Sequence, residues 1–394
     1  MVSRICKIVC ALFCAFILFS CTSSGDASSA GSETADTASE VSDPAAEDPD
    51  GSGGEGVPAA DDDDSGPDEG YLSDSDAAPD EDPALDGDTD LPDEDHDPAA
   101  VPDDIPDEDV YESEPYDGDT VQIRIVAGNI TSGNQQSYDP GHGIRIFQAL
   151  RPDIALVQEM NYGSNSSGDY KKFAQKIVGT NYYAVDDADY DIPNGVVSKY
   201  PITSHGYWKD PNITNRALMW AVVDIPGKKD IFAISVHLHT SPASDQTAAA
   251  LVIVNEIAKL RSADPDRYYY VVGGDFNGPT AVSSSGFGKN KTFYVDGPDP
   301  VDENGDEETN ANGSKQYDFV LADYPLHEFQ IPTVFYSSKD STKTKTYDDG
   351  LVFDTRVYTQ SVLDEYFSPA QTSDSSASQM QHMAVVKDFL IELK

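Results

Sequence analysis

The chain has 394 residues, with 71 Asp and Glu against 25 Lys and Arg, for a formal net charge of −46. That balance excludes a surface that wraps nucleic acid non-specifically through basic residues, although a cleft can still focus a local potential of either sign. All four cysteines, at positions 6, 10, 14 and 21, fall in the first 21 residues. The rest of the chain can therefore build no disulfide, thiolate zinc site or cysteine nucleophile.

Residues 1–20 read as a targeting segment. Arg4 and Lys7 form a short basic region, and Ile8 to Ser20 is an apolar run of 13 residues. Such a run is too short to span a bilayer and suits a signal-peptide core. It closes with Leu18-Phe19-Ser20-Cys21, which resembles the lipobox of bacterial lipoproteins. The resemblance implies that Cys21 becomes a lipidated N-terminus, so the protein would be extracytoplasmic and tied to an envelope membrane through that lipid only. Residues 21–118 read as an acidic disordered tether: positions 22 to 118 hold 35 acidic residues and no Lys or Arg. Such a stretch buries too little apolar surface to offset the cost of ordering. As a flexible coil it has an end-to-end distance of roughly 55 Å, and a long charged leader of this kind favours a monomer. Residues 119–394 have the length of one large domain and retain 36 acidic against 23 basic residues, a net −13.

Within that domain Val121 to Val126 alternates as an opening strand, and Gly143 to Leu150 fits a short helix. Ile154 to Gln158 reads as a buried strand with Glu159 at its tip, followed by a helix over 169–178. Further strands are expected over 195–198, 218–225 and 231–237. The spacing predicts a helix over 245–261, capped by Ser244, with Leu251, Val254, Ile257 and Leu260 on its apolar face. Tyr268 to Val272 leads as a strand into Gly-Gly-Asp275-Phe-Asn277, where the glycines permit a tight turn. Late strands are expected over 317–321 and 383–386. Consecutive strands with few helices suggest an α+β fold in which two mixed β-sheets pack face to face with helices outside.

Polar residues gather at the ends of these strands. Asn129 follows the first, and Glu159 follows the second. His237 and His239 close Ile-Ser-Val-His-Leu-His, Asp275 and Asn277 close the glycine stretch, Asp318 sits in Lys-Gln-Tyr-Asp-Phe-Val-Leu, and His382 precedes the last strand. Taken singly, each is more often a solvated edge or a local hydrogen-bonding residue. Their order resembles the endonuclease/exonuclease/phosphatase superfamily, which includes deoxyribonuclease I, over residues 121 to 390. The Gln-Glu and Gly-Asp-Phe-Asn motifs carry the resemblance most specifically.

That resemblance implies a four-layer α/β sandwich with an active site at one end of its two sheets. It implies that Asn129 and Glu159 offer hard oxygen ligands to Mg²⁺ (or Mn²⁺ or Ca²⁺). Asp275 would orient or deprotonate the attacking water, and Asn277 would bind a phosphate oxygen. His237 would donate to the phosphate or aid proton transfer, with Asp318 fixing its tautomer, and His382 would hold the opposite face. Arg216, a planar fork of donors, would clamp the phosphate. His237 is favoured over His239 because the family's His-Leu pair matches His237-Leu238, although two residues apart on a strand share a face. Gln381 departs from the family, which usually has Asp before the final His, so a carboxylate near the metal is missing there.

The leading functional expectation is a metal-dependent phosphodiesterase, a nuclease acting on nucleic acid. A phospholipid phosphodiesterase of the sphingomyelinase type ranks second, since Tyr268 to Tyr270 reads as a buried strand and not as a membrane-entering hairpin. A non-catalytic phosphate-binding lipoprotein ranks third, supported by Gln381 alone.

Overall fold

A computed structural model of the protein describes residues 119–129, 141–186, 190–377, 380 and 382–394. Residues 1–118, which include the expected signal segment, Cys21 and the expected acidic tether, lie outside the described residues, as does Gln381.

The strands are β1 (Thr120–Asn129), β2 (Ile154–Gln158), β3 (Tyr182–Val185), β4 (Gly195–Ser198), β5 (Ile202–Trp208), β6 (Leu218–Val223) and β7 (Asp230–His237). They continue as β8 (Tyr268–Asp275), β9 (Asp318–Ala322), β10 (Gln330–Ile331), β11 (Thr333–Tyr336), β12 (Thr344–Tyr347), β13 (Leu351–Phe353) and β14 (Ala384–Glu392). The helices are α1 (His142–Leu150), α2 (Ser167–Val178), α3 (Ala243–Ala263), the short α4 (Tyr324–His327) and α5 (Gln360–Tyr366). The first sheet runs β10-β14-β1-β2-β4-β3 with β13 also on β14, and the second runs β5-β6-β7-β8-β9. β11 and β12 form a separate hairpin. Both sheets are mixed: β1–β2 and β7–β8 are parallel and the remaining ladders antiparallel.

The alternation of β1 shows why four layers form. Ile123, Ile125 and Ala127 face a core that also holds Met219, Ala221, Ile231, Ala233 and Val271 of the second sheet. Val126, pointing the other way, packs with Phe147 of α1, Phe173 of α2 and Leu363 of α5. On the far side, Ala250, Ile253, Val254 and Ile257 of α3 cover Phe232, Ile234, Tyr270 and Val272. The order is thus helices, sheet, sheet, helix, as expected. Each fully buried Ile or Phe in these layers contributes roughly 1.5–3 kcal/mol.

Three local expectations need correcting. The helix α3 starts at Ala243, and its N-cap is Pro242 with no side-chain cap bond, so Ser244 lies inside the first turn. Its buried face is 246, 249, 250, 253, 254 and 257, rotated from the expected stripe, and Leu251 and Leu260 are only half-buried. Gly273 and Gly274 do not turn the chain; they belong to β8, which runs on to Asp275. Strands β3, β5 and β10 to β13 were not expected. They are short or lie at sheet margins, where the two-residue period is weak.

Candidate active site

The parallel pairing of β7 with β8, and the antiparallel pairing of β8 with β9, set three functional side chains in one row. His237 is opposite Asp275, and Asp275 is opposite Asp318. In the first sheet Asn129 is opposite Gln158, which precedes Glu159. His382 joins them through an isolated bridge to Asn310, just before β14. All six, Asn129, Glu159, His237, Asp275, Asp318 and His382, are buried.

The glycines of β8 make room for the strut under this site. A Cβ on Gly274 would lie 2.1 Å from the Val236 carbonyl oxygen and 2.6 Å from Gln158 Nε2. Gln158, fully buried, donates through Nε2 to Ser235 Oγ at 2.8 Å, and Ser235 Oγ donates to the Val157 carbonyl at 3.0 Å. The strut ties the two sheets directly beneath their tips. The turn comes later, at Asn277 (φ 53°) and Gly278 (φ 133°). Glu159 also adopts a left-handed φ of 52°, which costs a non-glycine residue about 1–2 kcal/mol and here aims a carboxylate into the cleft.

Asn129 Nδ2 bridges Glu159 Oε1 and Asp275 Oδ2, at 3.1 Å to each. His237 Nε2 is 3.3 Å from Asp275 Oδ2, and its Nδ1 is 3.7 Å from Glu159 Oε1. His382 Nε2 lies 3.4 Å from the same Asp275 oxygen, and its Nδ1 is bonded to Asp318 Oδ2 at 2.6 Å. Asp318, not expected to touch His382, is therefore not the partner of His237. It stands two strands from His237, and two strand spacings amount to roughly 9–10 Å. Thr309 completes the arrangement by donating its hydroxyl to Asp318 Oδ2 at 2.8 Å. No sequence pattern in its loop marks Thr309, and Gln158 reads as a mere neighbour of Glu159.

The remaining expected residues stand around this network. Asn277 donates its backbone N–H to Asp275 Oδ1 and its side-chain amide to the Leu238 carbonyl, both at 2.8 Å. Arg216 gives Nε to the His237 carbonyl at 2.6 Å and Nη2 to the Leu238 carbonyl at 2.9 Å, so most of its fork braces a strand tip. His239 lies past the end of β7 and bonds Asp245 Oδ2 through Nδ1 at 2.9 Å. Of the two histidines, only His237 joins Asp275 and Glu159.

Burial and neighbours drive the two site histidines apart. Burial pushes His237 down to about 3, against the pull of Asp275, so its ring is neutral. Burial also opposes charge on His382, but Asp318 and Asp275 outweigh it and raise the group to about 10. Asp275 is pushed up by burial, yet His382, with hydrogen bonds from Asn129 and the Asn277 N–H, holds it below the ordinary carboxylate value. Burial lifts Asp318 to about 6 and Glu159 to about 7. At neutral pH the site thus holds an ionised acceptor, Asp275, between a neutral and a cationic imidazole, an acid–base pairing set by environment.

The donor set fits a divalent cation. Asn129 Oδ1, Glu159 Oε2 and Asp318 Oδ1 are buried without a hydrogen-bond partner, a costly state for polar atoms unless something fills it. Asp275, Asp318 and His382 also form a buried cluster whose ligand atoms all lie within 4.8 Å of one another. The three could ligate a metal ion only with His382 deprotonated; its positive charge leaves the open oxygens of Asn129 and Glu159 as the better holders.

Residues 142–326 match the model of the Endonuclease/Exonuclease/phosphatase family. This segment is an endonuclease/exonuclease/phosphatase family domain. The match spans Glu159, His237, Asp275 and Asp318, while Asn129 and His382 lie on either side of it. Phosphate-ester hydrolysis is the activity of an endonuclease/exonuclease/phosphatase domain, and the buried Asp275–Asp318–His382 cluster accords with it. Several solved structures are similar. Truncated TDP2 of Caenorhabditis elegans is 16% identical, covering 68% of this chain and 97% of that one, with a TM-score of 0.41. An endonuclease/exonuclease/phosphatase from Bacteroides vulgatus is 15% identical, covering 70% and 100%, with a TM-score of 0.43. A mannosyl-6-phosphatase from Bacteroides thetaiotaomicron is 12% identical, covering 68% and 99%, with a TM-score of 0.41. Among curated proteins, none matches.

Proposed function

We propose that the chain is an extracytoplasmic phosphodiesterase, anchored to a bacterial membrane by a lipid on Cys21, that uses a divalent cation to hydrolyse nucleic acid. The observation that supports it most is the row His237, Asp275, Asp318, closed by His382 and facing the unpartnered oxygens of Asn129 and Glu159.

Asn129 and Glu159 would hold the cation, because their free oxygens are hard donors suited to Mg²⁺, Mn²⁺ or Ca²⁺. When bound, the ion supplies positive charge to the phosphate as phosphorus becomes five-coordinate. Asp275 orients the attacking water and takes its proton; its lowered pKa keeps it ionised, with its oxygens free of a proton, at neutral pH. His382, kept cationic by Asp318, donates through Nε2 to a phosphate oxygen. His237 binds the phosphate as a neutral ring on the other side of Asp275. Asn277 contributes a polar group at the same rim, and Arg216 adds positive charge while its Nε and Nη2 brace the carbonyls of His237 and Leu238.

Nucleic acid is favoured over a phospholipid on surface grounds. Tyr268, Tyr269 and Tyr270 are buried, and among the described residues the exposed large hydrophobic ones, Tyr182, Tyr207 and Tyr336, lie on three different strands. The β11–β12 hairpin is joined by Ser337-Ser-Lys-Asp-Ser-Thr-Lys343, which is polar throughout and unsuited to entering a bilayer.

The test offers the purified protein plasmid DNA, RNA, sphingomyelin and bis(p-nitrophenyl) phosphate with Mg²⁺, Mn²⁺, Ca²⁺ or a chelator. Cleavage of nucleic acid that the chelator stops is the expected result. Turnover of sphingomyelin alone would transfer the assignment to lipid headgroups, and no turnover of any phosphodiester would remove it. Replacing Cys21→Ser should move the protein from the membrane to the soluble fraction of its host.

A further inference from the structure

A polar residue heads the buried stripe of α3. The buried positions of that helix are 246, 249, 250, 253, 254 and 257, and every one after the first is Ala, Ile or Val. Gln246 is 3% exposed and sits where the stripe reaches the strand tips. Its amide nitrogen donates to the His239 carbonyl at 3.0 Å and to the Asn277 carbonyl at 3.1 Å. Burying an amide costs free energy unless it is hydrogen-bonded, and an apolar residue would complete the stripe without that cost. Packing alone does not account for glutamine here.

The two acceptors belong to different segments. His239 follows the β7 tip that carries His237, and Asn277 follows the β8 tip that carries Asp275. Other bonds lace the same segments together: Leu238 N–H donates to the Asp275 carbonyl at 2.8 Å, and Asn277 Nδ2 donates to the Leu238 carbonyl at 2.8 Å. Gln246 is the member that comes from outside both strands and joins them to the rigid helix behind.

We infer that Gln246 is a positioning residue that straps the segment after His237 to the segment after Asp275, and so fixes the 3.3 Å approach of their side chains. Its effect on turnover rests on the phosphodiesterase reading above; its effect on the strand tips does not. A displacement of about 1 Å at a catalytic group can cost about 10²-fold in rate, so a loosened strap should be visible in kcat while substrate binding changes little.

The experiment replaces Gln246→Met in the full chain, keeping length and removing both donors. Expected are a kcat about tenfold or more below the native value, KM within about twofold, and a melting temperature within a few degrees of native. Amide exchange at Leu238 and Asn277 should quicken about tenfold, with the centres of β7 and β8 unchanged. Native kcat together with native exchange at both tips would overturn the inference. So would a lowered melting temperature with native exchange at the tips, which is the mark of a packing role. Should the native protein turn over no phosphodiester, the functional reading falls and the exchange measurement alone decides the strap. Should the Met variant fail to fold, Gln246→Leu, which completes the apolar stripe, carries the same two readouts.

Discussion

Substituting Gly274→Ala tests whether the glycines of β8 are there for close approach. The added Cβ would lie 2.1 Å from the Val236 carbonyl oxygen, 2.6 Å from Gln158 Nε2 and 2.8 Å from Gln158 Cδ. Two of these neighbours are the end of the buried strut and one is backbone of the adjacent strand, so β7 and β8 must part or Gln158 must leave Ser235. Gly278→Ala is the natural comparison. The two glycines have nearly the same φ, 137° and 133°, but nothing lies within 4 Å of the Cβ built on Gly278. Strain in that region costs about 1–3 kcal/mol, and overpacking a filled site adds about 1–3 kcal/mol. Gly278→Ala should therefore cost about 1–3 kcal/mol and Gly274→Ala about 2–6 kcal/mol. For a domain of this size, at about 2 °C per kcal/mol, the larger figure lowers the melting temperature by roughly 4–12 °C. Scanning calorimetry on the native protein and both variants measures the difference, and activity follows because Asp275 is the next residue. Equal melting temperatures for the two variants would refute the reasoning.

Further outcomes follow from the charges of the site. Glu159→Gln should cut phosphodiester turnover at least about 10²-fold and raise the Mg²⁺ concentration for half-activity, measured by metal titration. Because Glu159 is pushed up to about 7 and a cation binds its ionised form, apparent Mg²⁺ affinity should fall as pH drops below 7, and excess Mg²⁺ should move the acid limb of the rate profile downward. His237→Ala should abolish most turnover, whereas His239→Ala should leave a larger residual rate, since only the former ring lies against Asp275. Asp318→Asn breaks a buried charged pair and should destabilise the fold by about 3–5 kcal/mol near neutral pH in chelator. His382 is raised in the folded state, so the stability it lends is complete below its ordinary value of 6.5 and is lost as pH rises toward about 10. Urea titrations across pH 6 to 10 should show that decline in the native protein and a flatter profile in Asp318→Asn.

What the sequence discloses here is local, and what it withholds is long-range. Asn129, Glu159, His237 and Asp275 are legible because each sits where an apolar run ends, and Asp318 because it sits where one begins; parallel or antiparallel pairing then brings such ends to one rim. His382 is legible for the same reason at the start of β14. The partnership of Asp318 with His382 is not, because it depends on strand order, which apolar runs do not encode. Gln158 reaches Ser235 across the gap between sheets, and Thr309 supports Asp318 from a loop without a motif; neither leaves a periodic trace. The glycines of β8 were legible as special but not for the right reason, since a turn and a close approach call for the same residue. The large apolar residues of α3 do not mark its buried face, because small ones, Ala249 and Ala250, meet the sheet while Leu251 and Leu260 stay half-buried. The effect of Gln381 in place of the usual carboxylate falls outside the described residues.

The central claim is that the strand tips of two sheets hold one divalent cation beside one phosphate. Anomalous diffraction from crystals soaked in Mn²⁺ measures that directly. The account predicts a single strong peak bounded by Glu159 and Asn129, absent in Glu159→Gln. A peak held elsewhere, or none at saturating Mn²⁺, would contradict it.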